Sequence, residues 1–398
     1  MISDIIDKIN KKERITEEEA EELFKEDDLI KLGKLASIVR AQKVSPKVAI
    51  YVVYMNINYT NICTSMCSFC AFSRQIEDID AYVIEVDDII KKIRDAKGVG
   101  IEAILLQGGL HPGFKLDYYI ELVKGIKEAY PSLHIHGFSP PEIVHIARKS
   151  QLSIEEVLSS LHKAGLDSIP GGGAEILDNT VRKRISPNKC SVEEWLDVMR
   201  MAHLLGIKSS ATMMFGCIET YRERINHLSS IRKLQDETKG FTSFIAWTYQ
   251  SAKGIRKDLK KDNDRKYLLC IDKETSAVDY LKTVAIARIF LDNFEHIEAS
   301  IVTQGPKIAQ LALAFGADDI GSVMVEENVV RAAGNSYVSS EGELIYLIQE
   351  AGYIPAKRNV LYNKYVMVNK KSIFNKMKKR ERNWKKLIAT SVEKSAIK

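Results

Sequence analysis

The chain has 398 residues, 45% hydrophobic and 28% charged, with a formal net charge of +5, enough for one large core or two ordinary ones, which excludes a disordered polymer. No apolar run reaches about 18 residues, and the opening MISDIIDKINKKERITEEE is too polar for a secretory leader, so neither a membrane span nor export is expected. The expected location is the cytoplasm, where reducing conditions keep thiols free.

Residues 1–46 read as an N-terminal helical cap: Thr16 followed by Glu19 makes a capping box, and Ile30, Leu35, Ile38 and Val39 give an apolar stripe. The β-rich run VAIYVVYMNINYT follows. It leads into NYTNICTSMCSFCAFSR, which carries Cys63, Cys67 and Cys70 in a CxxxCxxC pattern. Zinc sites usually close a tetrahedron with two pairs of Cys or His ligands, and no second pair stands near. Cys190, Cys217 and Cys270 are scattered singly. A 4Fe-4S cluster held by three thiolates keeps one iron open, so the pattern points to a reactive cluster. Incidental loop cysteines, or a three-Cys zinc site completed by a distant histidine, are the alternatives.

Beyond the loop the chain alternates. Ile89, Ile90 and Ile93 mark a helix before the strand IEAILLQGG, and LDYYIELVKGIKEAY stops at Pro131 before LHIHGFS. Capping boxes at Ser153/Glu156 and Ser191/Glu194 open helices that end at Gly165 and Gly206, each followed by a strand, LDSIPGGG and IKSSATMMFG. Helices over 219–237, 276–293 and 306–315 precede FTSFIAWTY, HIEASIV and DDIGSVMV. Eight strands separated by helices predict an α/β fold, a TIM-type (β/α)8 barrel over 47–326. A C-terminal segment, 327–368, is expected to pack on it. The charged stretch 252–274 reads as a surface insertion. The tail 369–398, with 11 Lys and Arg against 2 acidic residues, reads as a solvated end. No recognisable RNA-binding module accompanies it, so nucleic acid is not an expected partner.

In such barrels the reacting groups stand on loops after the strands. That rule selects the cysteine loop, QGGLHP, SPPEI, GGGAEI, GCIET and TQG. Glu175 follows three glycines at an expected helix start, and Glu219 sits similarly after the fifth strand. Arg182 and Arg184 suit a carboxylate, and His111 suits proton handling near neutral pH. His134 and His136 alternate along a strand and so share one side, as substrate contacts or as satisfied core histidines.

CxxxCxxC after the first strand of an α/β barrel resembles the radical S-adenosylmethionine (radical SAM) enzymes. The resemblance implies that Cys63, Cys67 and Cys70 hold three irons of the 4Fe-4S cluster and that S-adenosyl-L-methionine chelates the fourth. It implies that Phe69 lies near the adenine and that Gln107, Gly108 and Gly109 meet the methionine amino group. Glu175 is then expected on a ribose hydroxyl and Arg182 on a carboxylate, with Glu175, His111 and Glu219 as catalytic candidates.

A narrower similarity, over residues 50 to about 362, rests on NINYTNIC, FCAFSR, LLQGGLHP, HGFSPPEI, IPGGGAEIL, RISPNKC, ATMMFG, QDETKGFTSFIAWTYQ, IVTQGPK and GSVMVEENVVRAAG. These resemble the dehypoxanthine futalosine cyclases of menaquinone biosynthesis. That resemblance implies dehypoxanthine futalosine as the small-molecule substrate and a one-electron donor such as flavodoxin or ferredoxin. The adenosyl radical is then expected to take the ribose C4′ hydrogen, and the carbon radical to add to the benzoate ring. The tyrosine-using deazaflavin synthases are similar but read Thr-Ala-Ala at the fourth-strand loop, and the aminofutalosine synthases share the triple glycine without SPPEI. Cys217 and Ala246 stand where the cyclases commonly have His and Pro.

Overall fold

β1 (Val48–Ile57) is the strand on which the fold closes. Its residues alternate: Tyr51, Val53, Met55 and Ile57 enter the core beneath the helices, whereas Val52 and Tyr54 join Ala103 and Val360 in a separate inner cluster. The period of two puts Asn56 on that inner face. β2 (Ala103–Leu106), β3 (His134–Gly137), β4 (Ser168–Ile169), β5 (Lys208–Phe215), β6 (Phe241–Thr248), β7 (His296–Ala299) and β8 (Asp319–Val325) follow in parallel, and β8 returns to β1. This closed eight-stranded barrel is the expected architecture. The computed structural model describes residues 2–250, 275–334, 337–368 and 383–385. The 252–274 stretch with Cys270, and the basic tail apart from 383–385, lie outside the described residues.

The capping boxes at Thr16/Glu19, Ser153/Glu156 and Ser191/Glu194 all form. The N-terminal stripe is shifted from its expected face. Leu32, Leu35, Ala36 and Val39 are buried, while Ile30 is 62% and Ile38 41% exposed. Spacing of three and four residues from Leu32 gives the continuous face. Three expected mouth segments also differ. SPPEI is not an open loop but the first turn of helix Pro140–Ser150, capped by Ser139 and Glu142. Its two prolines suit that turn, where a backbone N–H would lack a partner. Glu175 does not start a helix; it sits in a turn at φ 46°, and helix Asn179–Ile185 begins later, capped by Asp178. TQG falls within helical segment Ile301–Ala312, kinked where Gly305 takes φ 74°.

The base of the barrel is closed by the chain's far end. β9 (Ile354–Arg358) pairs in parallel with Val48–Tyr51 of β1, and β10 (Tyr365–Met367) folds back antiparallel on β9. Arg358 reaches inward, 2.5 Å from Asp319 and 2.9 Å from Glu298. Tyr362 Oη lies 2.9 and 3.2 Å from the same two carboxylates, with one proton to give to either. Burial pushes the Glu298 carboxyl above its usual range, and the neighbouring Asp319 charge adds to that.

Buried histidines give the fold an acid limit. Burial lowers His203 and His227 to about 3 each, against an ordinary value of 6.5. His203 is fixed between Thr238 and Ser209 hydroxyls at 2.6 and 2.7 Å. These rings are neutral in the fold, so below pH 6.5 the unfolded chain binds more protons. Their stabilisation is present above pH 6.5 and is lost as pH falls towards 3. Glu298 acts oppositely, losing stability as pH rises through its raised value. Chemical denaturation across pH 4 to 8 should therefore give a maximum near pH 6.5. On the acid side each histidine contributes a slope of at most about 1.4 kcal/mol per pH unit.

Candidate active site

The cysteine loop opens directly from β1 and is held by hydrogen bonds within itself and to the segments after β2 and β4. Arg74 donates from Nη1 to the carbonyls of Ala71, Phe72 and Ser73, and from Nε to Asp80 at 2.7 Å. The Cys63 amide donates to the Arg74 carbonyl, and the Thr64 amide to that of Leu110. Ser68 donates twice to the Ile185 carbonyl, which ties the loop to the far side of the mouth. Met66 takes φ 48°, the sharp reversal between the first two cysteines.

Cys63, Cys67 and Cys70 are free thiols, as is Cys190. Cys217 is disulfide-bonded, contrary to the expectation that thiols stay free. Burial pushes the Cys63 thiol up to about 11 and raises Cys67 as well. The Ser65 hydroxyl lies 3.3 Å from the Cys67 sulfur. Among the described residues no three His, Cys, Asp or Glu side chains close round a single ion. A cluster needs a wider triangle than one ion, because each thiolate takes a different iron. The donor set of three free thiols on one fixed loop fits that group.

Gly108 and Gly109 let the loop after β2 lie on this one. A Cβ on Gly109 would stand 2.2 Å from the Ile62 carbonyl oxygen and 2.9 Å from the Cys63 Cβ, and one on Gly108 would enter the Tyr59 ring at 2.5 Å. Glu142 organises the same corner from beneath, a residue the sequence offered only as part of SPPEI. It accepts from the Gly108 amide at 3.0 Å, Tyr59 Oη at 2.7 Å and the Ser139 amide at 2.7 Å.

The triple glycine packs between β5 and SPPEI. A Cβ on Gly171 would meet the Ser210 carbonyl at 2.7 Å, one on Gly172 the Gln107 amide nitrogen at 2.7 Å, and one on Gly173 the Pro141 ring at 2.3 Å. Glu175, one residue further on after Ala174, is buried in a 2.5 Å ion pair with Lys189. Lys189 also lies 5.2 Å over the Phe69 ring. Its charge is close enough to Cys67 to oppose the upward shift of that thiol. Lys189 was missed in the sequence, where it is one lysine in RISPNKC with no helical or strand pattern to mark it.

The remaining candidates are placed as follows. Arg182 is buried, and its guanidinium donates to the carbonyls of Gly173, Ala174 and Cys190. Arg184 is exposed. Glu219 accepts from the Gly216 and Cys217 amides and pairs with Arg224 at 2.9 Å. His111 stacks on Phe114 with ring centres 3.7 Å apart, and its Nδ1 accepts from the Gly113 amide, leaving Nε2 as the other ring nitrogen. Burial lowers its proton affinity. Phe69, Gln107, Glu175 and the three cysteines are thus gathered at one mouth, while Glu219 and Arg182 support its rim.

With this geometry in place, the relatives can be read. The radical SAM superfamily profile matches residues 57–231, and that of the CofH/MqnC C-terminal region matches 238–371. The cyclic dehypoxanthine futalosine synthase of Halalkalibacterium halodurans is 41% identical over 91% of this chain and 94% of its own. The chain belongs to the cyclic dehypoxanthine futalosine synthase family of radical SAM enzymes. A second relative of this family's members is the 5-amino-6-(D-ribitylamino)uracil–L-tyrosine 4-hydroxyphenyl transferase of Methanocaldococcus jannaschii, 39% identical over 88% of this chain and 97% of its own. Among solved structures, methylornithine synthase superposes with a TM-score of 0.66 at 18% identity over 88% of this chain and 97% of its own, a likeness of fold. No helix among the described residues is long and apolar enough to cross a membrane.

Proposed function

We propose that this chain is a radical SAM cyclase that converts dehypoxanthine futalosine to cyclic dehypoxanthine futalosine in menaquinone biosynthesis. Overall identity barely separates the cyclase and transferase relatives, at 41% and 39%. The observation that carries the choice is the Gly171–Gly173 turn beside Gln107. A Cβ at 172 would stand 2.7 Å from the Gln107 amide nitrogen, so a side chain there would displace Gln107 from its present position. The Thr-Ala-Ala of the deazaflavin relatives would do so. Pro141 of SPPEI packs on Gly173, so the two segments that favour the cyclase reading form one surface.

Cys63, Cys67 and Cys70 would hold a 4Fe-4S cluster, with Gln107, Gly108 and Gly109 at the methionine end of S-adenosyl-L-methionine and Phe69 near its adenine. The bound pair would supply an adenosyl radical, after one electron from a donor such as flavodoxin or ferredoxin. The chain's own residues position and exclude water. Lys189 holds the Glu175 carboxylate for a ribose hydroxyl, Arg182 fixes the turn from behind, Glu219 fixes the loop after β5, and His111 keeps Nε2 free of the Gly113 contact that its Nδ1 makes. A primary carbon radical is unselective in solution, so selectivity requires one C–H bond held in near-attack contact.

Deuterium at ribose C4′ should therefore appear in 5′-deoxyadenosine, together with cyclic product, when read by mass spectrometry. Unlabelled 5′-deoxyadenosine here, with label transfer from deuterated tyrosine in the presence of the ribityl pyrimidine, would select the transferase.

A further inference from the structure

Below the mouth, the inner face of the barrel carries polar side chains that the proposed chemistry has not used. Asn56, Leu105 and His136 are register partners on β1, β2 and β3, and Ser168 of β4 is the next partner of His136. Leu105 is only half-buried although it lies on an inner strand. The Asn56 side-chain oxygen is buried and has no hydrogen-bond partner. An unpaired buried acceptor is costly unless something seats against it. The layer is therefore dressed to meet a polar ligand.

Its other polar group continues downward. Ser168 Oγ lies 2.7 Å from His136 Nδ1 and 2.6 Å from His134 Nε2. A hydroxyl has one proton, so it can donate to only one of the two rings, and the other ring must donate to it. The three groups form an oriented chain whose sense can reverse without moving heavy atoms. When His136 Nδ1–H donates to Ser168, and Ser168 donates to His134, the His136 Nε2 lone pair is the end left for the barrel interior. The outer end is His134, the first residue of β3 at the barrel base; burial lowers it to about 4, and the nearby Asp167 charge works against that lowering. Asp167 is 34% exposed and pairs with Lys127 at 2.7 Å. Tyr54 stacks on the inner ring at 6.3 Å, and burial, with the charges of His134 and Arg358 adding to it, keeps the resting imidazole neutral.

We propose that His136, Ser168 and His134 form a proton path that takes the proton released when the cyclised ring regains aromaticity and delivers it to the base of the barrel. This rests on the cyclase reading above. In the step, the ring C–H proton goes to His136 Nε2 while its bonding pair stays on the ring. The resulting radical anion then yields one electron to an iron–sulfur acceptor. His136 Nδ1 passes its proton to Ser168, whose own proton moves to His134 Nε2. The charge then rests beside Asp167.

The test uses the cluster-loaded full chain with dehypoxanthine futalosine, reading cyclic product per 5′-deoxyadenosine and the organic radical signal by electron paramagnetic resonance. Ser168→Ala should lower that ratio at least tenfold with a larger radical signal, because hydrogen abstraction continues while proton release stalls. Ser168→Thr, which keeps the hydroxyl, should restore it. His134→Gln breaks only the outer leg and should lower the ratio as well, which guards against a misfolded Ser168→Ala. A ratio unchanged in both Ser168→Ala and His134→Gln overturns the path, as does a Ser168→Thr ratio no better than that of Ser168→Ala. Wild-type protein that forms no cyclic product would instead reject the cyclase reading itself.

Discussion

Replacing Cys63, Cys67 or Cys70 with alanine is expected to abolish turnover and to remove most of the protein's iron and sulfide. Each residue would be one of only three thiolates on the loop, and among the described residues no further free cysteine belongs to it. Cys190 is buried beneath Arg182, 3.7 Å from its guanidinium, and belongs to the support of the turn. Ser65 touches Cys67 but offers a hydroxyl, a poor substitute for a soft thiolate on iron. Iron and sulfide analysis after anoxic reconstitution checks this, with Cys190→Ala as the control that should load normally. A fully loaded, active Cys67→Ala would remove the basis of the cluster assignment. The fold should survive these changes, because Arg74, Thr64 and Ser68 hold the loop through backbone carbonyls.

Arg358→Met should be strongly destabilising. It removes the only cation bonded to both Asp319 and Glu298 among the described residues, leaving two buried carboxylates with tyrosine and backbone donors. Breaking a buried pair from one side costs about 3–5 kcal/mol, since the remaining charge has no water to turn to. Denaturant titration at pH 7 should show that loss. At lower pH the deficit should narrow, because Glu298 and Asp319 can take up protons. A loss under about 1 kcal/mol at pH 7 would mean that the network is not what secures the base.

Much of the barrel was legible because its signals are local. Strand runs of β-branched residues, three capping boxes and terminal glycines each act within a few residues, and all recur at their expected places. The cysteine loop was legible by spacing alone. What stayed hidden depends on contacts distant in sequence. SPPEI read as loop since two prolines suggest a break, yet Glu142 caps that helix while also accepting from Tyr59, 83 residues earlier. Glu175 looked like a helix start, and only its meeting with Lys189 and the Met214 amide explains its left-handed backbone. Nothing near Ile354 announces a strand that belongs beside Val48.

That last pairing has a temporal meaning. β1 is made early, but its partners include Ile354–Arg358 and β8, some 270 to 310 residues downstream. A growing chain on the ribosome can form the helices and the β2–β3 pairing as they emerge, yet cannot seal the seam until β8 and β9 have been synthesised. Contacts of such long sequence separation are slow to close. The loop bearing Cys63, Cys67 and Cys70 springs from the end of β1, so its final shape depends on strands made long after it.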